Sequence, residues 1–169
     1  MVNFAIPNRS SLSFTAAHRP GEKLPGGAFK TARTFLDFVV DGSSLGELIK
    51  ARKHDLVSFL VAGFAESETA RGVRRLLLQE PADLPNNRRS LYVCPECGDL
   101  GCGAVTVEVI DAGDSFRWQR FGYENTYEDK VDFSSFEDVG PFAFEKSSCE
   151  LELNTALEKL KSLGARGES

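Results

Sequence analysis

A chain of 169 residues with 41% hydrophobic side chains can bury a core without disulfides, and its length is that of one domain spanning residues 1–169. The net charge is −5 and no run approaches the roughly 20 apolar residues of a bilayer-crossing helix, which argues against a membrane span and against nucleic acid as a partner. Met1–Ser10 places Pro7, Asn8 and Arg9 where a signal peptide needs an unbroken apolar stretch, so the expected location is the cytoplasm. Thiols stay reduced there, and clustered cysteines then point to metal or redox chemistry rather than to a structural disulfide.

In chain order, residues 1–30 mix short apolar runs with turn formers and read as an edge strand or two followed by a mobile loop ending in "HRPGEKLPGGA". "RTFLDFVVDG" sets Leu36, Phe38 and Val40 on one face and Phe35 and Val39 on the other, a buried strand closed by an Asp41-Gly42 turn. Ser44 and Glu47 have capping-box spacing, predicting a helix from Ser44 to Ala51. Leu56, Phe59 and Leu60 share a helical face and predict a second helix from Asp55. A third is expected over Ser67–Gln79, stopped by Pro81. The linker "PADLPNNRR" precedes a strand, and Val105, Val107 and Val109 alternate with Thr106 and Glu108 in the next. "SFRWQRFGY" returns the chain, making an antiparallel meander around residues 90–122. A last helix is expected to start at Ser147-x-x-Glu150, bury Leu153, Ala156, Leu157 and Leu160, and end at Gly164. The fold class that follows is α+β, an antiparallel sheet with several helices packed against it.

The stretch "LYVCPECGDLGCGA", residues 91–104, holds three of the four cysteines. Cys94-Pro-Glu-Cys97-Gly has the form of half a zinc knuckle: proline sets the turn, glycine lets backbone N–H groups face sulfur, and two thiolates can share one tetrahedral ion. Cys102 lies across the predicted hairpin, so Cys94, Cys97 and Cys102 are the candidate ligands of a structural zinc. Cys149 falls on the apolar stripe of the last helix and reads as packing. His18, His54 and Asp99 are the remaining candidates for a fourth ligand, and nothing in the spacing selects among them. A redox dithiol and a thiol-bearing turn without chemistry stay open beside the metal reading. The redox reading lacks the helix that would start at the first cysteine and depress its pKa.

Acidity concentrates in the second half. Tyr123, Glu124, Tyr127, Glu128, Asp129, Asp132, Glu137 and Asp138 form the candidate partner-binding segment, with Phe133 and Phe136 interleaved. Aromatic anchors ringed by carboxylates suit a protein partner with a basic surface. The two histidines lack identifiable partners and no nucleophile motif is present, so no catalytic residue is assigned.

"LYVCPECGDLGCGAVTV", "WQRFGYEN" and "VGPFAFEKSS" resemble a family of small bacterial proteins, some labelled oxidoreductases, over residues 31–160. No activity or cofactor motif comes with that resemblance. In size, acidity and want of a catalytic set the chain is also similar to bacterial immunity proteins. That likeness implies a non-enzymatic protein that binds and neutralises a toxin domain. The alternative expectation is a zinc- or thiol-dependent enzyme or redox protein centred on Cys94, Cys97 and Cys102.

Overall fold

The structure, a computed structural model, describes residues 8–166. The first apolar run forms strand β1, Leu12–Arg19. The stretch expected to be a mobile loop instead carries a small hairpin, β2 (Glu22–Lys23) paired with β3 (Phe29–Lys30) across the turn Pro25–Gly27. Strand β4, Arg33–Val40, pairs antiparallel with β1 along its full length, and the Asp41-Gly42 turn returns the chain to β5, Ser43–Ser44. Both turn residues have positive φ, which Asp tolerates and Gly favours.

Helix α1 is Leu45–Leu48, capped as the sequence indicates: the Ser44 hydroxyl accepts from the Glu47 N–H at 3.1 Å. It is shorter than expected, because Lys50 turns left-handed and a separate 3-10 turn, Ala51–His54, follows. The helix expected from Asp55 does not form. Asp55 itself is left-handed, and Val57–Ser58 becomes strand β6, paired with Val93 and Tyr92. The i, i+3, i+4 spacing of Leu56, Phe59 and Leu60 marks three buried residues of an extended segment; long-range pairing overrides the local pattern.

Helix α2 is Glu66–Leu76, followed by β7 (Arg88–Val93), β8 (Ala104–Asp111), β9 (Ser115–Glu124), β10 (Phe142–Glu145) and α3 (Lys146–Arg166). The expected meander is present: the five-stranded sheet runs β10-β9-β8-β7-β6, every neighbour antiparallel, beside the three-stranded sheet β1-β4-β5. With three helices this is an α+β fold. The two sheets are bridged at both ends. Leu36 N–H donates to Leu60 and Ala62 N–H to Thr34 on one side, and Ser10 N–H donates to Ala143 on the other. The five-stranded sheet therefore curls toward the smaller one, and Phe38 is the buried hub, with ring contacts to Phe14, Phe59, Tyr92 and Trp118. Helix α3 covers the core with Leu153, Ala156 and Leu160, and Cys149 is buried beside them. It begins one residue before Ser147, whose hydroxyl donates to Glu145, and it runs through Gly164 rather than stopping there.

One irregularity decides which side chains reach the surface. Thr106 faces Gly122 while Glu108 faces Gln119, so β9 carries an extra residue at Arg120, which sits at φ 54°. A bulge reverses the in–out parity of everything after it. Phe116 and Trp118 point to the core before it; after it Phe121 does so, and Glu124 turns to the opposite sheet face beside Thr106 and Arg88. The segment after β9 folds back over that face, and Gly122 is needed there because a Cβ would sit 2.5 Å from Val131.

Candidate metal centre

The connection from β7 to β8 holds the three clustered cysteines. Cys94 follows the last residue of β7, and its carbonyl accepts from the Gly98 N–H at 2.9 Å, closing a turn that needs the left-handed Gly98. The Asp99 N–H then donates to the Cys97 sulfur at 3.4 Å, and the Asp99 carboxylate accepts from Gly101 at 2.7 Å. That contact caps the short turn Leu100–Cys102 and lifts Cys102 back toward Cys97, leaving the two sulfurs 3.7 Å apart. The sulfurs of Cys94, Cys97 and Cys102 all lie within 4.8 Å of one another, close enough to bind one metal ion.

The electrostatics of the cluster are uneven. Partial burial opposes the Cys94 thiolate, but N–H groups of Cys97 and Glu96 and the two neighbouring thiols donate to it, so its pKa falls below the ordinary thiol value. Cys102, sharing its proton with Cys97 and facing the Cys94 charge, is pushed up to about 11. One thiol is thus primed to ionise while another resists. A bound dication reverses that resistance, because metal binding displaces thiol protons.

The loop is held from outside by residues that its local sequence does not reveal. The Arg19 guanidinium, only 8% exposed, binds Glu96 at 2.5 Å and Asp55 at 2.8 Å. Both Glu96 oxygens also accept from Thr31, one from its N–H and one from its hydroxyl, each at 2.8 Å. Arg33 donates to the carbonyls of Pro95 and Glu96 and lies over the Phe64 ring. The hydrogen bond from Arg19, followed by those from Thr31, holds the Glu96 carboxyl down at about 2. The sequence pattern marks Asp55 as a helix start and signals none of these contacts.

Of the other candidate ligands, Asp99 lies in the loop with its carboxylate on the Gly101 N–H, and none joins the three sulfurs. Cys149 is in the core, where burial pushes its thiol up to about 12, in keeping with packing. His18 lines a cleft of about 1080 Å³ beside α2 and α3. His54 stacks on Tyr123 at 4.7 Å between ring centroids.

The acidic segment divides in two. Tyr127 is 84% exposed, and Glu128, Asp129, Glu137 and Asp138 are exposed with it. Asp132 is exposed too, but its carboxylate accepts from the Ser134 N–H and hydroxyl and shapes the turn. Glu124 is not a surface residue: its side chain is 7% exposed and paired with Arg88 at 2.9 Å, a consequence of the β9 bulge. Tyr123 is half-buried under His54, Phe136 is in the core, and Phe133 lies under the guanidinium groups of Arg88 and Arg120. Tyr127 is the one aromatic of the four that remains free to anchor a partner. It stands against the cysteine loop, where a Cβ on Gly101 would be 2.7 Å from its ring.

No family model, curated protein or solved structure matches the chain. No helix among the described residues is long and apolar enough to cross a membrane.

Proposed function

We propose that Cys94, Cys97 and Cys102 hold one structural zinc ion and that the chain works as a small cytoplasmic binding protein of the toxin-neutralising kind. Its partner is a protein with a basic surface that meets the acidic loop beside the metal. The convergence of three sulfurs within 4.8 Å, on a loop framed by two arginines, carries the zinc half. All-sulfur donor sets on tight turns suit zinc, which imposes no redox chemistry and cross-links the turn. Tyr127, exposed between the cysteine loop and the Glu128-Asp129 pair, supports the binding half, since aromatics anchor interfaces and flanking charge steers encounter.

Metal analysis of protein purified under reductant is expected to give one zinc per chain. Chelation or Cys97→Ser is expected to lower the melting temperature by about 5 °C, because metal binding energy becomes folding energy. Metal-free protein whose Cys97→Ser variant melts with wild type overturns the zinc half. For the binding half, a photo-crosslinking residue at position 127 identifies the partner, and Glu128→Lys is expected to slow association and flatten its salt dependence. A partner whose association ignores Glu128→Lys and ionic strength overturns it.

The 3.7 Å separation of Cys97 and Cys102 favours a second reading, a reversible dithiol. Hydrogen peroxide would take two protons and two electrons from the pair, leaving a disulfide and two waters. Metal-free protein that forms this bond at low peroxide and recovers with reductant would replace zinc by that chemistry.

A further inference from the structure

The chain contains six residues of the types zinc prefers, four cysteines and two histidines, and none lies outside the described residues. Three of them form the cluster, and none of the other three joins it. Cys149 is sealed in the core on α3. His18 projects into the cleft beside α2 and α3, and His54 is stacked flat on Tyr123, with 22° between the rings. The loop's own carboxylates are also engaged. Glu96 is bound by Arg19 and Thr31, and Asp99 caps Gly101. No further His, Cys, Asp or Glu of the described residues joins the three sulfurs. Cys97 and Cys102 are nonetheless exposed, so the site is open to solvent on the side where these two sulfurs lie.

Zinc requires a fourth donor in a tetrahedral set. We infer that this donor comes from outside the chain and is a neutral nitrogen, the imidazole of a partner's histidine. The inference rests on the zinc reading above. Charge selects the donor class. Three thiolates already leave the bound dication one negative charge in excess, on a chain of net charge −5, and another thiolate or a carboxylate would add to it. Imidazole adds none, and as a common zinc ligand it displaces the equally neutral water that fills an open position on the ion. The site sits beside Tyr127, so a histidine reaching the metal would arrive with the surface that the exposed ring contacts.

The test is cobalt(II) substitution in the full chain, under a phosphine reductant that supplies no competing thiol. Wild type, His54→Ala and Asp99→Asn are expected to give one shared tetrahedral spectrum with thiolate-to-cobalt charge transfer. Added imidazole is expected to shift the visible bands of all three, saturably and reversibly on dilution. A spectrum that imidazole leaves unmoved overturns the inference while the metal site stands. So does an Asp99→Asn or His54→Ala variant whose charge-transfer and visible bands differ from wild type, since about a tenfold loss of affinity with unchanged bands is what loss of an outer-shell contact costs. If no charge-transfer band appears at any cobalt concentration, both the inference and the zinc reading fall.

Discussion

Arg88 and Arg19 are both buried guanidinium groups paired with carboxylates, yet their surroundings act on them in opposite senses. Arg88, 3% exposed, lies against Glu124 on a sheet face roofed by Phe133, and burial outweighs the Glu124 contact so that its pKa falls. Arg19 faces Asp55 and Glu96, which are 43% and 41% exposed; the hydrogen bond to Asp55 outweighs burial and its pKa rises. The first pair is a sealed charge whose cost appears when one half is removed. The second is a clamp in contact with water whose worth lies in what it positions.

That contrast predicts a graded series. Arg88→Ala strands Glu124 in a dry site and is expected to cost about 3–5 kcal/mol in urea unfolding, with Arg88→Leu/Glu124→Leu recovering most of it. A single-variant cost under about 1 kcal/mol would show that water enters this face and would erase the contrast. Arg19→Ala leaves its carboxylates to solvent and is expected to cost about 1–2 kcal/mol, diminishing with added salt, while reducing metal affinity more than global stability.

The clamp also has an acid signature. Glu96 has its pKa depressed in the fold to about 2, and Asp55 is lowered as well, so their contribution is present above the unfolded carboxylate range and lost as pH falls through the folded values. Wild type is therefore expected to lose stability more steeply than Glu96→Gln between about pH 4.5 and pH 2. Parallel curves from acid titration of unfolding would place the clamp's value elsewhere. The smallest effect belongs to Gly101→Ala: the nearest atoms to its Cβ belong to the exposed Tyr127 ring, which swings aside, for under about 0.5 kcal/mol.

Much of this was legible from residue patterns, for identifiable reasons. Val105, Val107 and Val109 alternate because they line one sheet face, and Cys-x-x-Cys followed by Cys102 converges because a hairpin brings its own ends together. What escaped depends on distance. The Arg19–Glu96 contact joins residues 77 apart, and no local period announces it. Asp55 reads as a helix start because its true partner, Arg19, lies on a strand 36 residues earlier. The misplacement of Glu124 in an exposed segment has a different origin: a bulge at Arg120, invisible to a period of two, turns its carboxylate to the sheet face where Arg88 and the returning chain bury it.

The three sulfurs lie within nine consecutive positions of one connection, and this bears on the unfolded chain. If the proposed zinc is bound, a chelate that compact would survive when the rest of the chain is unfolded, so the denatured protein would retain much of its own affinity for metal. Only the difference between the two affinities stabilises the fold. That difference is what Arg19, Thr31 and Arg33 supply by holding the loop in one shape. During synthesis the cysteine segment emerges before β8, β9 and α3 exist, and on the zinc proposal an ion captured then would pre-form the turn on which the meander closes.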